Sequence, residues 1–124
     1  MGLDVHEYLL WLPLAVYPVH VLEEEIFGWK HWAQAILKLK SVNWIIFDIA
    51  NLAVMFFGIS TAMIGWNIPE LSLSLAALMY INAICFHILP AIVHRTLSPG
   101  TFTALLLFLP TATWLYYGAY ADNI

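Results

Sequence analysis

The chain has 124 residues, 63% of them hydrophobic and only 10% charged, with a formal net charge of −4. Its mean hydropathy of +0.84 is far above the soluble average, and its length is that of one domain. Only four Lys and Arg residues are present, so no basic patch exists for nucleic acid, and the lone Cys85 excludes disulfides and cysteine-ligated clusters.

Four apolar stretches reach the length of about 20 residues that a bilayer span requires. The composition therefore predicts an all-α polytopic membrane protein, one domain over residues 1–124 with four transmembrane helices and an interfacial amphipathic helix between the first and second.

The start, Met1 to Glu7, is acidic and lacks the basic region of a signal peptide, so the first apolar run is expected to be kept as helix 1, from about Glu7 to Glu24. Pro13 and Pro18 fall inside it, and each removes a backbone hydrogen bond and kinks the helix. His6 is expected to be a solvated flank. Near the end of this helix stands His20-Val-Leu-Glu23-Glu24-Glu25. A histidine with glutamates three and four positions later presents all three side chains on one helix face. In or beside hydrocarbon each charged group costs about 2.5–3.5 kcal/mol on insertion scales, so such a cluster points to function. Glu25 is read as an interfacial flank.

From Glu25 to Lys40, apolar Ile26, Phe27, Trp29, Trp32, Ile36 and Leu37 are interleaved with Lys30, His31, Gln34, Lys38 and Lys40. That pattern predicts a helix lying in the headgroup plane, with its lysines toward phosphates. Helix 2, about Asn43 to Gly65, carries Asp48 and Asn51 on one face, then small residues including Gly58 and Gly65 that favour close packing. Asn67 to Glu70 is a short turn, so helices 2 and 3 should be antiparallel neighbours. Helix 3, Leu71 to His94, contains Asn82, His87, Pro90 and His94. His87 and His94 are seven apart and share a face; Asn82 is about 140° from His87 unless the helix is irregular there. Arg95 to Gly100 turns the chain into helix 4, Thr101 to Ala119.

Lys30, Lys38, Lys40 and Arg95 all fall in connections on one side of a four-helix serpentine. By the positive-inside rule that side is cytoplasmic, and the expected location is the plasma (inner) membrane with both termini non-cytoplasmic. His20 then lies about 7 Å and His87 about 12 Å inside the cytoplasmic edge, at about 1.5 Å per residue, with Asp48 at a similar depth. The outer half holds no buried charge to match. Helices 1, 2 and 3 are expected to enclose this polar layer, with helix 4 mainly a wall.

His20-x-x-Glu23-Glu24, an amphipathic segment, three further hydrophobic runs, Asn82-Ala-Ile-Cys-Phe-His87, and Ser98-Pro99-Gly100 with Thr103 together resemble the HXXEE-domain family of small membrane proteins. The resemblance spans nearly the whole chain and implies no settled activity.

The residues leave several functions open. Histidines with carboxylates suit a divalent metal such as zinc, iron or manganese, held by His20, Glu23, Glu24 and His87, in an enzyme acting on a lipid-like substrate. Glu23, Glu24 and Asp48 are then the candidate catalytic groups, with Asn51, Asn82 and His94 in support. The alternatives are a metal-free acid–base isomerase or cyclase of a sterol- or isoprenoid-like lipid, a small proton-coupled transporter, and an accessory membrane subunit. Membrane lipid and a lipid-like small molecule are the expected partners, with no nucleic acid; oligomeric state, substrate and reaction are not readable from the residues.

Overall fold

The computed structural model describes residues 4–124, so the first part of the acidic start, Met1 to Leu3, lies outside the described residues. Helix is the only regular structure among the described residues. A 3-10 turn, Glu7–Trp11, leads into α1, Leu12–Ile26; a short α2 follows, Trp29–Ile36. Then come α3, Trp44–Asn67, α4, Pro69–His94, and α5, Thr101–Ala121. These last three are long and apolar enough to cross a membrane. α1 with its leading turn is of similar length but carries Glu7 at one end and Glu23, Glu24 and Glu25 at the other.

Local chemistry sets the boundaries. Pro13 sits in the first turn of α1, where its missing N–H is not needed, so it starts the helix rather than kinking it; Pro18 alone is interior. α2 is only eight residues long. It is cut off from α1 by Gly28 at φ 77° and stopped before Lys38 at φ 59°, both left-handed. The Asn43 side chain accepts the Ile46 N–H at 2.9 Å and so caps α3.

α4 and α5 share an irregularity. Asn82–Ile88 and Ala104–Phe108 are π-helical, with Leu89 N–H donating to Ile84 O and Leu109 N–H to Ala104 O. Pro90 and Pro110 each follow two residues later. An α-helix would require them to donate to Phe86 and Leu106, which proline cannot do, and its ring crowds the carbonyl four positions back. Widening to i→i+5 bonding absorbs the defect. The two π segments pack on each other, and α4 meets α5 along buried Ala76, Ala83, Ala104 and Ala112, whose small side chains permit close approach. Phe108, Met79, Leu10 and Leu115 fill the core between them. Gly58 lets α3 approach closely: a Cβ there would stand 3.1 Å from Leu14 and Leu75 side chains.

A polar network ties together the end opposite the histidines. His6 Nδ1 lies 2.7 Å from Asp122 Oδ1, and the His6 and Trp66 N–H groups donate to Asp122 Oδ2 at 2.9 and 3.1 Å. The Trp66 backbone N–H donates to Glu7 Oε2 at 3.0 Å. His6 is thus not a solvated flank, and the Asp122 side chain is 1% exposed, which corrects the expectation that this half holds no buried charge. The chain start, the α3–α4 turn and the end of α5 are brought to one place.

A candidate metal centre of two histidines and a glutamate

His20 and Glu24 are one helical turn apart on the inner face of α1, and His87 enters from the π segment of α4. All three are buried, at 1%, 6% and 1% exposed. One nitrogen of each ring and one Glu24 oxygen lie within 4.8 Å of one another. The rings meet edge to face with centroids 5.0 Å apart, and Phe108 lies 4.2 Å from the His20 ring, closing the apolar side.

Hydroxyl groups around the cluster fix the ring tautomers. The Thr101 hydroxyl donates to Ser98 O at 2.6 Å, so in its 3.0 Å contact with Ser98 Oγ it must accept. Ser98 has then spent its proton and accepts from His87 Nδ1–H at 2.7 Å. Likewise Thr103 donates to Gly100 O at 3.3 Å and accepts from His20 Nδ1–H at 2.7 Å. Both Nε2 atoms are left as lone-pair donors facing the Glu24 carboxylate. His20 Nε2 is 2.5 Å and His87 Nε2 3.9 Å from Glu24 Oε1, and neither nitrogen has an aligned hydrogen-bond partner. Lone pairs converging in a buried site repel unless a proton or a cation joins them. A tetrahedral ion with bonds of about 2.0–2.2 Å separates its ligands by about 3.3–3.6 Å, between those two distances. The donor set fits zinc, with imidazole and carboxylate ligands and Nδ1 held by a second group.

Glu23 does something else. Its Oε2 accepts Gly100 N–H at 2.5 Å and its Oε1 accepts Thr103 N–H at 2.8 Å. Both oxygens cap the N-terminus of α5, where unpaired N–H groups and the helix dipole favour an anion. Glu23 therefore positions the start of α5 and lies outside the group formed by His20, Glu24 and His87. Gly100, at φ 98°, brings the backbone against the cluster: a Cβ there would be 2.6 Å from His87 Cε1 and 2.8 Å from Glu24 Cγ.

The remaining expectations divide. Asp48 is exposed on α3, beside Glu25 on an open groove, and does not point into the common interior, because that face of α3 turns away from α4. His94 is exposed at the last turn of α4, where Arg95 at φ 52° ends the helix, so the shared face with His87 is not realised as shared burial. Asn51 accepts from Tyr17 Oη–H at 2.8 Å and donates to Phe47 O at 2.9 Å, joining α3 to α1 beside the cluster. Asn82 lines a cavity with Glu24 and His87, the π turn having rotated residues five apart onto one side. Helix α5 is no mere wall, since Thr101 and Thr103 on it, with Ser98 and Gly100 just before it, orient both histidines. Ser98, Gly100 and Thr103 had signalled only a family likeness in the sequence, and Thr101 only the start of a helix; hydroxyls flanking a glycine before a helix were the available clue.

These features define an all-helical protein with membrane-length helices and a buried cluster of two histidines and one glutamate. Residues 11–115 match the family described as a protein of unknown function with HXXEE motif, and the chain belongs to that family. No match is found among curated proteins or solved structures.

Proposed function

We propose that this is a four-span integral membrane protein, α1 being the additional span, with a divalent metal centre of His20, Glu24 and His87 near the cytoplasmic face, acting as an enzyme on a lipid-like substrate. The observation that carries the reading is the convergence of two Nε2 lone pairs and a carboxylate in a buried site, with both Nδ1 protons held by hydroxyls. Three protein ligands are the number found in catalytic rather than structural zinc sites, which keep one position for water or substrate. A metal bound there would supply Lewis-acid activation of an oxygen. The acids that lower the hydropathy of α1 are partly consumed internally, Glu24 by the histidines and Glu23 by the start of α5. That supports α1 as a span, with the lysine-bearing connection inside and both termini outside, in the plasma (inner) membrane.

Elemental analysis of protein purified without chelators tests the centre: about one metal per chain in wild type, and none in His20→Ala, His87→Ala or Glu24→Gln. Protein free of stoichiometric metal would end this reading. The short His20–Glu24 contact would then favour acid–base chemistry, one proton joining carboxylate and imidazole. For the topology, single cysteines at Lys38 and Asn67 in a Cys85→Ala background are labelled on intact cells with an impermeant reagent. Labelling at 67 alone is expected, and labelling at 38 alone overturns the orientation.

A further inference from the structure

Beside the cluster lies a cavity of about 270 Å3, lined by Glu24, His87 and Asn82 together with Phe47, Phe86 and Ile46 among others. Resting on the metal-centre reading, we propose that this cavity binds a lipid alcohol, its hydroxyl donating to Asn82 Oδ1 and facing Glu24 and His87.

The Asn82 oxygen is the reason for a donor. It is buried and has no hydrogen-bond partner among the described residues, a costly state for an acceptor unless something else supplies the hydrogen. Asn51, on the opposite wall, already accepts from Tyr17 and donates to Phe47 O, so unlike Asn82 its oxygen is not left without a partner. The π turn is what brings Asn82 to the same side as His87. Such turns occur frequently at functional sites, because they re-aim side chains at a cost in helix geometry.

Three classes of head group can be compared. A carboxylate has no hydrogen for Asn82 Oδ1 and would face Glu24. An ammonium has hydrogens but no lone pair for a cation held by His20, Glu24 and His87. A hydroxyl has both, and it is neutral, so it enters an apolar wall at the lowest desolvation cost.

The body of the ligand follows from the walls and the entrance. Phe47 and Phe86 are aromatic, and Ile46 and Phe86 at the rim are 57% and 49% exposed. Close packing of α3 on α4 is concentrated near their connecting turn, on Pro69 to Ile81, so the cavity opens sideways between α3 and α4 at the histidine level. A cavity just below the usual range, about 300–1,000 Å3, holds the head and first carbons of the chain. The rest extends through the lateral gap into the acyl region, as a long-chain or isoprenoid alcohol can.

The test uses the full chain in zinc-supplemented lipid nanodiscs and a long-chain alcohol bearing a diazirine. Photolabel is expected on the Ile46–Asn51 and Asn82–His87 segments, with farnesol competing about tenfold better than farnesyl methyl ether, which lacks the hydrogen. Asn82→Leu should bring alcohol and ether to parity, and Asn82→Asp, which keeps an acceptor, should retain the preference. Label scattered over the lipid-facing surface, or equal competition by the ether in wild type, overturns the proposal whether or not the variants fold. Metal content of the same samples separates the two readings. Alcohol preference without metal leaves the cavity assignment and removes the metal centre; metal without preference does the reverse.

Discussion

Glu23 and Glu24 are adjacent, yet their substitution by glutamine should fail in opposite ways. Glu23→Gln leaves one carbonyl oxygen to accept from either Gly100 or Thr103 and turns an NH2 group toward the other N–H. One hydrogen bond to a charged group is lost, worth about 1.5–3 kcal/mol, along with a favourable charge at a helix N-terminus, worth about 0.3–1 kcal/mol. Because the carboxylate is only partly buried, the lower end applies, and a loss of about 2 kcal/mol is expected. Unfolding in mixed micelles of mild detergent and SDS, followed by tryptophan fluorescence, should show that loss. Metal content of the remaining folded protein should stay near wild type. Glu24→Gln should instead abolish metal, and with chelator removing the metal-derived stability from both proteins it should move the unfolding midpoint much less, since no backbone group depends on it. A Glu23→Gln protein as stable as wild type but lacking metal would refute the division of roles drawn from the hydrogen bonds.

Ser98→Ala removes the acceptor for His87 Nδ1–H and should weaken metal binding about 10- to 100-fold, read by chelator competition. Gly100→Ala places a methyl group against His87 and Glu24 at a left-handed φ that itself costs about 1–2 kcal/mol, so it should lose both stability and metal, and a fully loaded, stable variant would contradict the geometry. At the other end, burial raises the Asp122 pKa but hydrogen bonds from the His6 ring and backbone and from Trp66 outweigh it, leaving it below 3.8. A carboxyl with a depressed folded pKa stabilises above its unfolded value and loses that contribution as pH falls through the folded one. The stability difference between wild type and Asp122→Asn should accordingly be full at pH 5 and shrink below about 3.8; a difference constant down to the lowest pH would show that ionisation is not involved.

The pairing of His20 with His87 was legible before any coordinates, because hydropathy sets depth and depth alone brought the two into one layer. Depth says nothing about azimuth, and there the reading failed for Asp48 and His94. Regular helical phase was the wrong ruler for α4 and α5. Pro90 and Pro110 marked the disturbance, but a proline does not say whether a helix will kink or widen. The choice between Glu23 and Glu24 was not readable from α1 at all, since it depends on which residue meets the start of α5. His6 and Asp122 stand 116 residues apart, and only the antiparallel course of the chain makes them neighbours.

The π segment of α4 also bears on which lengths this helix can adopt. A turn closed from i to i+5 is a turn closed from i to i+4 with one residue inserted, the surplus taken up as a local bulge instead of being passed along the helix. Asn82 and His87 are five apart and meet on one side; in an uninterrupted α-helix a pair four apart would do the same. Deleting a single lipid-facing residue between them, such as Ile84, should therefore relax the bulge while leaving the two side chains together and the helix beyond Leu89 in its present rotation. Deleting one residue from the regular turns before Asn82 would have no bulge to draw on locally, and would swing His87 about 100° off the cluster.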